Sequence, residues 1–422
     1  MKRQEDSDSD RDYSMIRDAV HSLGNDVFLF SDADPDGTIS AAIFGLYRKA
    51  NGKRFDEKGM KLTRKVINAE DVQKVKAEGY NEIAGLDFWQ IYDSTEAIAE
   101  IERERAHFKN VKIMDHHPSP KELSSDVVQV VNPYLKSERT FKNMTELLYG
   151  AVRDEFKSEK VRKYARDLNA IGIMADYCAD GGQETLAEVV NDYKDIFPQL
   201  KKKLDENHKI SQEDLVASDF SRFSEMFYAP YIVTRGDAGV SELVKLCVDG
   251  GPFTLRELLN DASSTHPAIR AMSRAYDECN ADVGKSLDGF KSKAEFHDES
   301  HTAFYSPELK YWRATSLLSN KTVNQNPEWI IGIKLSGYNG VTAYDFRNRS
   351  YDDVPLGDIF KKMGIGGGHE KAAGCRLETS REKYFEHAFT EISRACMNER
   401  LSKKNAAERD ATLNRIVRTY WK

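Results

Sequence analysis

The sequence predicts an α/β protein with a doubly wound parallel sheet over its first 275 or so residues and a smaller α/β domain behind it. Three observations carry that expectation. Short apolar runs alternate with amphipathic stretches between residues 27 and 131, the order of a parallel sheet with crossover helices. Three of those runs end on acidic or histidine residues: Asp32, Asp34 and Asp36; Asp93; and Asp115, His116 and His117. Beyond residue 300 the pattern changes to short strands and a glycine-rich stretch.

Taken in order, residues 1–12 (MKRQEDSDSDRD) hold almost nothing apolar and are expected to form a disordered tail. Residues 13–24 carry Met15, Ile16, Ala19, Val20 and Leu23 at helical spacing before Gly24. Residues 27–30 form an apolar strand that runs into the aspartates, and a helix follows through Arg48. Further strands are expected at 61–67, 83–86, 88–92 (ending on Asp93), 111–114 and 127–131, with a helix at 96–108. From 145 to 193 the pattern is helical, and Leu168, Ile171, Gly172, Met174 and Ala175 form an apolar face that delivers Asp176. A charged segment at 194–219, with Lys201, Lys202 and Lys203, reads as a solvent-facing helical insertion within a first domain at 13–275. Apolar helical periodicity resumes at 240–259. A long charged helix at 267–290 supplies a connector at 276–300. The second domain spans 301–400, with strands at 303–305, 313–318, 329–335 and 340–346, before a helical tail at 401–422.

At 422 residues and 40% hydrophobic content the chain can bury a substantial core. Five cysteines without a CxxC pair indicate neither a disulfide framework nor a zinc knuckle and fit a reducing cytoplasm. No apolar run reaches the roughly 18 residues of a membrane span, so no membrane partner is expected. A net charge of -7 argues against a broadly cationic nucleic-acid binder and leaves a local basic groove open.

Three carboxylates at strand end repel one another unless a cation lies between them, and Mg²⁺ or Mn²⁺ prefers such oxygen ligands. The competing reading is a solvated Asp-Pro-Asp-Gly turn. Histidines beside carboxylates shift the metal toward Mn²⁺. Asp176 alone carries less, since an aspartate at the end of a helix also caps or forms ion pairs. Residues 363–374 (MGIGGGHEKAAG) expose backbone N–H groups to an anion but match neither a Walker loop nor a dinucleotide fingerprint. Arg349 and His369 give that stretch the partners a phosphate needs.

As a set, Asp32-x-Asp34-x-Asp36-Gly37, Asp93 before Ser-Thr, Asp115-His116-His117, Asp176 and Gly366-Gly367-Gly368-His369-x-x-Ala-Ala-Gly374 resemble the DHH phosphoesterase superfamily. Within it they are most similar to the archaeal RecJ-like single-strand exonucleases. The resemblance implies a DHH domain and a smaller DHH-associated domain, with two divalent ions, Mn²⁺ or Mg²⁺. It implies Asp34, Asp36, Asp93, His116 and Asp176 as metal ligands, with Asp93 bridging. His117 would face the scissile phosphate with Asp115 beside it, and Arg349, Gly366, Gly367, Gly368 and His369 would bind substrate. One position departs from the pattern: where many relatives carry histidine the chain has Phe30, so Asp32 or water completes the first shell. The implied activity is exonucleolytic hydrolysis of single-stranded DNA or RNA in replication or repair, with a GINS-type replisome subunit as a partner of the 194–219 insertion and the C-terminal helix. Hydrolysis of short oligonucleotides, cyclic dinucleotides or phosphoadenosine phosphate is the alternative, and a non-catalytic replisome scaffold a third.

Overall fold

Five short apolar strands build the sheet of the first unit: β1 (Val27–Ser31), β2 (Met60–Leu62), β3 (Glu82–Leu86), β4 (Asn110–Met114) and β5 (Val128–Val131). A computed structural model describes residues 2–421 apart from 65, 120–122, 124, 136–140, 235, 236, 339 and 369. It divides into two units, Met1–Tyr276 and Asp277–Lys422. The sheet order is β2-β1-β3-β4-β5 and every pairing is parallel. This is the expected doubly wound arrangement, with its order reversing between β1 and β3, where open sheets of this kind form their crevice.

Both faces of β1 are buried, which is why it reads as a continuous apolar run. Val27 and Leu29 face one core, shared with Ile16 and Val20 of the Lys2–Ser22 helix and Ile39 and Ile43 of the Pro35–Ala50 helix. Phe28 and Phe30 face another, with Val72 and Ile101 from the helices Ala69–Ala77 and Thr95–Arg103. Phe30 stacks on Phe88 at 5.8 Å and so belongs to packing.

Several local expectations need correction. Residues 2–12 are not a separate tail, because Lys2–Ser22 is one helix. Its second half is tied down where the Tyr13 hydroxyl donates to Glu146 (2.7 Å) and Arg17 Nε donates to the Ala151 carbonyl (2.8 Å). Residues 88–92 are not a strand: Trp89–Asp93 is a 3₁₀ turn whose Phe88 and Ile91 plug the core. The 194–219 segment folds as Pro198–Asp205 and Gln212–Val216, and Leu200, Ile210 and Leu215 join the main core instead of facing solvent.

In the second unit, β6 (Glu295–His297), β7 (Thr302–Tyr305), β8 (Ile330–Tyr338), β9 (Val341–Arg347), β10 (Gly366–Gly368) and β11 (Ala372–Glu378) form a sheet of order β10-β11-β9-β8-β7-β6. Only β7 and β8 pair in parallel. Its core centres on Phe346, Phe360, Phe385 and Phe389. The strand expected at 313–318 is instead the start of the helix Thr315–Gln325, whose buried Leu318, Thr322 and Val323 recur at helical spacing. The helix Pro267–Lys293 spans the residues where the two units divide, and Ala406–Tyr420 is the expected C-terminal helix.

Candidate metal centre

Parallel pairing in register delivers the site. Ser31 pairs with Leu86, and Leu86 with Met114, so the next residues, Asp32, Asp87 and Asp115, emerge side by side at the carboxyl edge. Asp34 caps the Pro35–Ala50 helix, its side chain accepting from Gly37 N at 2.9 Å. Gly37 is required there, since a Cβ would meet the Asp32 carbonyl oxygen at 2.4 Å. The turn places Asp36 inside the protein, where it accepts from Asn143 Nδ2 (2.7 Å), Met144 N (2.9 Å) and Thr145 N (3.1 Å) at the start of the Met144–Val152 helix.

His116 is the hub. Its Nε2 lies 3.1 Å from Asp87 Oδ1, 3.5 Å from Asp176 Oδ2 and 3.6 Å from Asp36 Oδ2. Asp176 arrives at the C-cap of the helix Glu159–Ala175. Two overlapping donor sets share His116: Asp36, His116 and Asp176; and Asp87, Asp115, His116 and His117. Within each, one atom per residue lies within 4.8 Å of the others.

Electrostatically this edge is under-neutralised. Burial, then the charges of Asp176 and Asp34, hold the Asp36 carboxyl well above its ordinary range. Burial and its acidic neighbours do the same to Asp87 and push Asp176 up to about 7. Burial and the neighbouring imidazolium of His117 press His116 down to about 3, so it is a neutral donor. For His117 burial opposes charge, but Asp115, at 2.9 Å, outweighs it and raises the imidazole to about 9. Among the described residues Asp87 Oδ2 is buried without a hydrogen-bond partner, in a backbone held left-handed at φ 52. Crowded buried carboxylates, an orphaned oxygen and a neutral imidazole are the donor set a hard divalent cation fits.

Of the ligands expected from sequence, the structure brings Asp36, His116 and Asp176 together, with Asp34 close enough for its charge to raise its neighbours. Asp32 turns to Arg64, whose Nε lies 3.4 Å away, and its carboxyl is raised to about 6, burial outweighing that guanidinium. Asp93 is a correction. It is exposed at the end of the 3₁₀ turn and outside the Asp/His cluster, which buried Asp87, six residues earlier, joins. Its signal was present: residues 83–86 are apolar and run straight into Asp87. Arg64, Asn143 and Thr145 were also missed, since only the tertiary fold brings them to the aspartates. Asp115 and His117 join the cluster as a hydrogen-bonded pair.

In the second unit the glycine run is the strand β10, and the next element in the chain is the strand β11, paired with it, where a helix was expected. Gly366 and Gly368 are dictated by packing: a Cβ would meet the Gly374 carbonyl oxygen at 2.1 Å and the Ala372 carbonyl oxygen at 2.5 Å. Gly367 has nothing within 4 Å of its would-be Cβ. Arg349 is exposed just past β9, where its carbonyl accepts from Lys371 Nζ at 3.4 Å. His369 lies outside the described residues.

Among solved structures, RecJ of Thermus thermophilus in complex with Mn²⁺ is similar, with a TM-score of 0.58 and 15% identity, covering 92% of this chain and 54% of that chain. An exonuclease RecJ bound to manganese matches with a TM-score of 0.53 and 15% identity, over 96% of this chain and 97% of that chain. The Thermus protein in complex with Mg²⁺ gives 0.52 and 12% identity, over 92% and 52%. This chain therefore spans about half the length of the Thermus protein. No family model matches the chain and no curated protein matches it. The likeness shows the fold, which is that of RecJ. Among the described residues no helix is long and apolar enough to cross a membrane.

Proposed function

We propose that this chain is a divalent-metal-dependent phosphodiesterase that hydrolyses single-stranded nucleic acid from an end. The observation that carries the reading is His116 Nε2 set 3.1–3.6 Å from carboxylates delivered by three separate elements. Asp36, Asp87, His116 and Asp176 would hold metal, Mn²⁺ or Mg²⁺, with Asp34 and Asp115 beside them; the one lone pair of His116 Nε2 would serve one ion, and a second would rest on the remaining carboxylates. Bound there, such ions lower the pKa of water to near neutrality and offset phosphate charge.

The chain's own residues do the rest. Asp36 is fixed by three donors before any ligand arrives, which keeps the reorganisation on binding small. His117, held by Asp115 at 2.9 Å, would offer a ring N–H to a phosphate oxygen. Arg349, the Gly366–Gly368 backbone and His369 supply further phosphate contacts in the second unit. The charged surface of 194–219 is our candidate contact for a GINS-type subunit. Equal capture of that subunit by the chain and by a Lys201→Ala, Lys202→Ala, Lys203→Ala variant would rule it out.

Digestion of end-labelled DNA and RNA strands of graded length, with Mn²⁺, Mg²⁺ or EDTA and a cyclic dinucleotide alongside, tests the proposal. Metal-dependent stepwise shortening of long strands is expected. Turnover of the cyclic dinucleotide or dinucleotides alone would replace it with the small-substrate reading.

A further inference from the structure

We propose that Tyr177 seats a nucleobase beside the metal centre, so that the site prefers strands carrying bases over phosphodiester chains without them. The inference rests on the function proposed above and assigns a residue to its substrate selectivity.

The helix Glu159–Ala175 ends in a closing turn in which Cys178 N donates to the Ile173 carbonyl (3.1 Å) and Tyr177 N to the Met174 carbonyl (3.4 Å). That 6→1 and 5→2 pattern requires a left-handed residue after the cap, a place glycine takes because side chains crowd there. The helix Leu356–Met363 follows the rule and is closed by Gly364 at φ 71. Here the left-handed residue is tyrosine, at φ 57. Burial does not repay the strain, because the side chain is 60% exposed. Its ring and hydroxyl have no hydrogen-bond or ring partner among the described residues. Strained residues with no folding reward concentrate where function demands them. Asp87, another of the described left-handed non-glycines, is itself in the metal cluster.

Position supplies the ligand class. Tyr177 is one peptide link from Asp176, whose Oδ2 is 3.5 Å from His116 Nε2. A second exposed ring shares the neighbourhood: Phe141 is 50% exposed and lies two residues before Asn143, which holds Asp36. The chain at Phe141 runs against the turn that follows Tyr177, since a Cβ on Gly181 would meet the Phe141 carbonyl oxygen at 1.8 Å. Two exposed aromatic side chains, Tyr177 and a Phe141 whose ring is backed by Tyr134 at 5.9 Å, are tethered within two residues of groups in the Asp/His cluster, and exposed rings beside a backbone-binding site are the surface on which bases stack whatever their sequence.

The test compares wild type, Tyr177→Gly and Tyr177→Phe with Mn²⁺, on a single strand and on an abasic strand of equal length. Tyr177→Gly should melt no lower than wild type, since glycine relieves the turn. Its preference for the base-bearing strand should fall about 5- to 150-fold, carried by KM more than kcat, and Tyr177→Phe should restore it. An unchanged preference, or an equal fall on both strands, overturns the stacking role. Wild-type chain that cleaves neither strand overturns the proposed function instead.

Discussion

At the carboxyl edge of the first unit's sheet, Asp36, Asp87, Asp115 and His116 are buried and hold one another in place, whereas the glycine hairpin and Arg349 of the second unit lie exposed. The first region concentrates like charge out of water, which costs several kcal/mol per ion unless a cation compensates. The second removes side chains from a strand pair, with Gly366 and Gly368 serving packing and Gly367 leaving backbone open to approach. The contrast teaches where each kind of contact belongs: a metal would need a dry, pre-oriented donor set, while the strand we propose as substrate would be met on accessible backbone and a solvated guanidinium.

That contrast can be broken at several points. Asp87→Ala or His116→Ala should lower kcat on a strand by about 10³-fold or more, as expected when a charge-stabilising group is lost from a metal centre, while Asp93→Ala should remain within about twofold. Single-turnover cleavage checks this.

The buried cluster also predicts an unusual stability profile. The folded carboxyls of Asp32 and Asp176 stand at about 6 and about 7, above an unfolded value of about 3.9, so the native state binds more protons than the unfolded between those limits. Stabilisation from these groups is full below about pH 4 and is lost as pH rises through 6 to 7. His116, held low, works the other way below about pH 6.5, but Asp32 and Asp176 together outweigh it, so in EDTA the melting temperature should fall across that window, reflecting a stability loss on the order of a few kcal/mol, and Mn²⁺ should flatten the fall. A metal-free melting temperature that rises from pH 5 to pH 7.5 would contradict the crowding.

On the exposed side, Arg349→Ala should weaken strand affinity about tenfold, the scale of a charge-assisted contact, and leave Mn²⁺ affinity unchanged in calorimetry. The smallest effect separates two glycines. Gly366→Ala should lower the melting temperature because its Cβ collides with backbone, whereas Gly367→Ala should fold normally and lose affinity a few-fold. Equal destabilisation by both would show that the run serves packing alone.

How much of this was legible depended on how local the signal was. The aspartate run and Asp115-His116-His117 could be read because apolar strands lead into them, and strand register then sets them side by side. Asp87 was passed over because Phe88 to Tyr92 is as apolar as a buried strand, and periodicity cannot separate such a run from a buried turn. Residues 313–318 failed for the same reason: too few residues stood in view to show the helical spacing that Thr322 and Val323 complete. Asn143, Thr145 and Arg64 were out of reach, because tertiary packing alone brings them to Asp36 and Asp32. The glycine run was read as an anion cradle, and the structure gives packing as the reason for Gly366 and Gly368.

The central claim is that the metal centre is built on Asp87 and His116 at the sheet edge, with Asp93 outside it. Calorimetric titration of Mn²⁺ into metal-free wild type, Asp87→Ala and Asp93→Ala tests it most directly. The account predicts wild-type affinity in Asp93→Ala and loss of tight binding in Asp87→Ala with the fold retained by circular dichroism. Tight binding kept by Asp87→Ala and lost by Asp93→Ala would contradict it.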